Sequence, residues 1–143
     1  MTTIDILVAV NVSQAAASVA NGNTNIGQFV YMVDSTGYTG NGAGGDELTT
    51  TVTPGDTVVW QSVSVDPSQT VTMTGFTGSA IGTNGGTEII NPVQYPQYNP
   101  AGSVWGGYIT GTTNGSADQY SISLLLNGSV HGWFDPFLIS NAP

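Results

Sequence analysis

The chain's one histidine, His131, lies four residues before Asp135 in "SVHGWFDPFLIS" (Ser129–Ser140). An imidazole, a carboxylate and a serine are the parts of a hydrolytic triad, and serines are plentiful. The spacing argues against one. On a strand, residues i and i+4 share a face about 13 Å apart, at roughly 3.3 Å per residue. That is too far for the imidazole–carboxylate hydrogen bond a triad needs. No Gly-x-Ser-x-Gly elbow occurs either. His131 reads as a structural or surface residue.

Carboxylates are the next candidates. Glycoside hydrolysis needs two acids flanking a cleft. Nine acids offer many pairings, and none is singled out. Adjacent Asp46 and Glu47 would diverge on a strand. Calcium accepts carboxylate, amide and backbone oxygens. The loops "SVDPSQ" (Ser64–Gln69) and "NGSADQ" (Asn114–Gln119) could supply them, although the Asp-x-Asp-x-Asp-Gly pattern is missing. No cofactor is required by the sequence, and calcium is the one it admits. Sugar binding draws on aromatic faces beside amides and carboxylates. "NPVQYPQYNP" with Trp105 and Trp133 has those types, and Asn91, Tyr95, Tyr98, Trp105 and Asp118 are the candidate ligand-binding residues. The competing reading is that aromatic residues of a β-rich chain fill its core. No catalytic residues are assigned.

Composition excludes more than these motifs establish. Charged residues are 6% of 143, against about 25% in ordinary proteins. Lys and Arg are absent, and the formal charge is −9. Nucleic acid is recognised through cations on phosphate, and anionic membranes attract basic segments, so neither is an expected partner. A P-loop lacks its lysine. Cysteine is absent, which removes disulfides and thiolate chemistry. "MTTIDILVAV" has no basic n-region and is not a signal peptide, so a cytoplasmic protein is expected. Trypsin's specificity pocket takes Lys or Arg side chains. The heat-denatured chain is therefore expected to survive trypsin intact, as a gel of the digest would show.

Strand patterns separated by Gly/Asn turns fill most of the chain. "TIDILVAVN" (Thr3–Asn11) opens it. "SQAAASVA" (Ser13–Ala20), capped by Ser13, is the one helix expected. Gln28–Ser35 is a second strand, followed by a glycine-rich loop over Thr36–Asp46. "DELTTTV", the turn "TPGD" and "TVVWQSVSV" read as a hairpin-like unit, with Pro54-Gly55 suited to a type II turn. In the last segment Val58, Trp60, Ser62 and Ser64 share one face, and Val59, Gln61, Val63 and Val65 the other. In Gln69–Thr77, Val71 and Met73 point one way. Gly78–Gly102 reads as a long loop around a brief strand at "TEII". Tyr120, Ile122, Leu124 and Leu126 share a face of Ala117–Gly128. Asn127-Gly128 then turns the chain into a closing strand. There Pro136 demands an edge or a bulge, and Val130, Trp133 and Phe137 are the expected packing groups. These patterns predict an all-β fold over residues 1–143. It would be an antiparallel β-sandwich, jelly-roll or Greek-key-like, with at most one short helix and a closed barrel as the alternative.

Taken in order, "IDILV" (Ile4–Val8), "PGDTVVW" (Pro54–Trp60) and "WFDPF" (Trp133–Phe137) resemble the AidA/PixA family of bacterial inclusion-body proteins. The resemblance implies an abundant bacterial β-sandwich protein that is not an enzyme. It also implies self-association, cytoplasmic inclusions and, for some members, quorum sensing and interaction with a host. The absence of Lys and Arg and the loop Gly78–Gly102 depart from the family pattern. A glycan-binding, lectin-like module, with or without calcium, is the alternative function.

Overall fold

The computed structural model describes residues 1–37, 42–83 and 86–143. Part of the expected glycine-rich loop, residues 38–41, and residues 84–85 of the expected long loop lie outside them. Ten strands and one α-helix follow in order: β1 (Thr3–Val10), α1 (Val12–Ala20), β2 (Val30–Asp34), β3 (Thr49–Val52), β4 (Thr57–Ser64), β5 (Val71–Gly78), β6 (Val93–Gln94), β7 (Val104–Tyr108), β8 (Asp118–Leu126), β9 (Val130–Phe134) and β10 (Phe137–Ser140). The first sheet runs β2-β1-β4-β7-β6. The second runs β3-β10-β8-β5, with β9 also paired to β8.

Period-two patterning decides what lies between the sheets. Ile4, Ile6, Val8 and Val10 alternate inward from β1, and Val58, Trp60 and Ser62 from β4. Tyr120, Ile122, Leu124 and Leu126 answer from β8, with Val71 and Met73 from β5. These faces match the sequence pattern. The all-β sandwich with one short helix is the fold observed, but two ladders are parallel: β1 with β4, and β10 with β3.

The parallel ladders account for one correction. The turn at Pro54-Gly55 forms, with Gly55 at φ 96° and the Asp56 N–H bonded to the Thr53 carbonyl. It does not close a hairpin. β3 pairs with β10 in the second sheet, while β4 lies between β1 and β7 in the first. The chain changes sheets at this turn, and Asp56 fastens it by accepting from the N–H groups of Thr2 and Thr53. Local turn chemistry could not distinguish a hairpin from this arch.

Three smaller differences have equally local causes. Asn11 caps α1, its side-chain oxygen accepting from the Gln14 N–H at 3.3 Å; the cap falls two residues before the expected Ser13. "TEII" forms no strand. Its Ile89 and Ile90 are buried in the core instead, and the brief strand is β6. Pro136 causes no bulge, because β9 and β10 continue one register along β8, from Ile122 opposite Phe134 to Gln119 opposite Phe137. Its carbonyl accepts from the Tyr120 N–H, and only the return bond is missing.

The closing strand faces the other way from its expected packing. Phe134 and Leu138 are buried, while Trp133 is 36% exposed and His131 is exposed. Val130 and Phe137 are half-buried. Gly132 hides the alternation, because it takes an inward position where Ile26 fills the space its side chain would need. Trp133→Ala is therefore expected to cost on the order of 1 kcal/mol, not the roughly 3–5 of a buried tryptophan. A urea unfolding curve checks this.

Candidate functional site

The structure brings only some of the expected ligand-binding residues together. Asn91 and Tyr95 line one cleft on the outer side of the first sheet, of about 370 Å³, with Thr57, Val93, Gly106 and Tyr108. Its floor is glycine for a packing reason: a Cβ on Gly106 would meet the Tyr95 ring and stand 2.9 Å from the Val58 carbonyl oxygen. The Tyr98 ring stacks beside Tyr95 with centroids 6.4 Å apart. It also borders a smaller hollow with Leu7, Gln61 and Val104.

Trp105 and Asp118 stand apart from that cleft. Trp105 points between the sheets, its N–H donating to the Met73 carbonyl at 3.0 Å and its ring 5.3 Å from Phe76. It clasps β7 to β5. Asp118 begins β8 in the second sheet, opposite Leu138. Residue type suggested grouping these residues. Trp105 shares the first sheet with the cleft but faces inward, and Asp118 lies in the second sheet, placements that long-range pairing sets.

The loops considered for calcium use their polar groups locally. Asp66 accepts from the Ser68 N–H at 2.9 Å and its hydroxyl at 2.8 Å, which holds the carboxyl below its ordinary range. Ser116 bonds back to the Thr113 carbonyl. Among the described residues, no three His, Asp or Glu side chains gather at metal-holding spacing.

Asp135 takes Gln119, not His131, as its partner, at 2.8 Å. Partial burial and the nearby Asp46 carboxylate raise its pKa. A carboxyl with a raised folded pKa stabilises fully below its unfolded value and loses that contribution as pH rises through the folded one. Asp135→Asn should therefore raise the urea midpoint at pH 7 and leave it nearly unchanged at pH 3. Paired denaturation curves test the sign.

The outer face of the first sheet carries an apolar feature. Leu7, Tyr31, Val33, Val63, Val93 and Tyr108 are exposed there. The ladders make this one surface: Leu7 is opposite Val33, Ala9 opposite both Tyr31 and Val63, and Gly106 opposite Val93. Asp5 is the carboxylate its strands turn outward.

This fold and these faces define a two-sheet β-sandwich whose most developed surface feature is a weakly charged apolar sheet face. The family model described as "Domain of unknown function (DUF8788)" matches residues 2–132, and the chain belongs to that family. The crystal structure of an inclusion body protein, PixA, from Burkholderia cenocepacia J2315 superposes with a TM-score of 0.63 at 13% identity. The match covers 99% of this chain and 95% of that one. At that identity the likeness is one of fold. No significantly similar sequence was found among curated proteins. Among the described residues, no helix is long and apolar enough to cross a membrane.

Proposed function

We propose that this chain is a non-enzymatic protein of the AidA/PixA kind that associates with copies of itself. It would collect in cytoplasmic inclusions or act from there on a host, with the outer face of the first sheet as its contact surface. The observation that carries the reading is that face: exposed aliphatic and tyrosine side chains across its strands, with Asp5 turned outward on β1 and Glu88 beside Val93 and Tyr108. Contiguous exposed apolar surface of this kind marks interaction sites.

Charge limits how two copies could meet. The chain has nine carboxylates and no Lys or Arg, so two copies have no lysine or arginine with which to form ion pairs. Like net charge opposes their approach. Contact is cheapest where carboxylates are fewest. The inclusion body protein of similar fold supports the same reading.

Cations and acid should both favour assembly, since each reduces the repulsion of −9 against −9. Light scattering is expected to rise with added calcium and on acidification towards pH 4. A monomer throughout both series would remove the proposal.

A further inference from the structure

The outer face of the second sheet, on the opposite side of the sandwich, carries a different feature. A groove of about 650 Å³ is lined by Thr24, Thr74, Thr77, Ser121, Ser123, His131, Gly132 and Trp133. We propose that it binds a neutral carbohydrate unit, seated against Trp133. The proposal is independent of self-association, and of the residues that the sequence suggested for a sugar it keeps Trp133 alone.

The ladders build the groove. Ser123 lies opposite Trp133 on one side and Gly75 on the other, and Ser121 lies opposite Thr77. A bulge between Met73 and Gly75 breaks the alternation of β5. It leaves Gly75 on the outward side beside Thr74, since a bulge interrupts the two-residue period. A Cβ on Gly75 would have nothing within 4 Å, so the floor is open there. One wall is an aromatic plate. Trp133 donates its N–H to the Thr24 hydroxyl at 3.2 Å, which fixes the ring, and over a third of its surface stays exposed.

The lining chooses the ligand class. It contains no carboxylate, Lys or Arg, and the imidazole of His131 is its one titratable side chain, so the lining is mostly neutral and hydroxylic. Five Ser/Thr hydroxyls line it. Each can both donate and accept. Among the described residues, those of Thr74, Thr77, Ser121 and Ser123 bond to no other protein group, leaving them available to a ligand. An apolar ligand would desolvate these hydroxyls without replacing their hydrogen bonds, which is costly. A sugar ring satisfies both halves of the surface: its C–H face lies on the indole, and its hydroxyls meet Ser and Thr. The volume falls within the roughly 300–1,000 Å³ of small-molecule sites.

A glycan array followed by calorimetry with the bound sugar tests this. The full chain should bind at least one neutral glycan, and binding should persist in EDTA because the lining offers no metal ligands beyond a lone imidazole. Trp133→Ala and Ser123→Val should each weaken binding tenfold or more while melting near the parent temperature. A silent array overturns the proposal. So does binding that survives both substitutions, or binding that Tyr95→Ala abolishes and Trp133→Ala does not, since the ligand would then sit in the cleft on the other sheet.

Discussion

Trp60→Ala is expected to destabilise the fold by about 3–5 kcal/mol, a large part of the 5–15 or so that holds a typical domain together. Trp60 is fully buried, its ring 4.7 Å from Phe76 and 5.7 Å from Tyr120. Those partners belong to the second sheet, so the indole is a principal tie between the layers. Its N–H donates to the Tyr120 hydroxyl at 3.0 Å. Truncation leaves a cavity and a buried phenol without its donor. Burial already raises the pKa of that phenol, so it stays neutral and needs its hydrogen bond. Tyr120→Phe should cost less, about 1–3 kcal/mol, because it removes the acceptor but keeps the packing. Equilibrium urea unfolding separates the two, and a loss below about 1 kcal/mol for Trp60→Ala would mean the sheets are not joined there.

The second large effect concerns assembly. Val63 is 41% exposed near the end of β4, the middle strand of the outer face, opposite Ala9 on β1. Val63→Glu places a carboxylate where the proposed contact excludes water, and a like charge on the facing copy. An unpaired charge at an interface costs roughly 2–5 kcal/mol, so association should weaken about thirty-fold or more. The fold should tolerate the change. The side chain points outward, and strand propensity differs by only about 1 kcal/mol across residue types. A parent-like melting temperature would confirm that assembly, not folding, has been altered. Val33→Glu, at the β2 end of the same face, should act in the same direction.

What the sequence revealed divides along a physical line. Alternating burial is local, so the inward faces of β4, β5 and β8 could be read directly. The Asn127-Gly128 turn was legible for the same reason: both residues take the positive φ that such a hairpin needs, at 52° and 73°. Pairing partners are set by distant contacts. The turn at Pro54-Gly55 therefore resembled a hairpin although it leads from one sheet to the other. Trp133 misled because size suggested burial, while the inward position beside it belongs to Gly132, whose lack of a side chain left no signal. The candidate ligand residues fared similarly. Asn91 and Tyr95 share a cleft because they flank the two-residue strand β6, whereas Trp105, paired with Gln94 of that strand, turns inward and Asp118 lies in the second sheet. Nothing in a linear reading could assemble Thr24, Thr74, Ser123 and Trp133 into one groove, since three strands and a loop meet there.

The most direct test of the account is sedimentation velocity on the unmodified chain and on Val63→Glu, over a hundredfold range of concentration. The sedimentation coefficient of the parent should rise with concentration, and the folded variant should remain monomeric. A parent that sediments as a monomer at every concentration would contradict it, as would a variant that assembles like the parent.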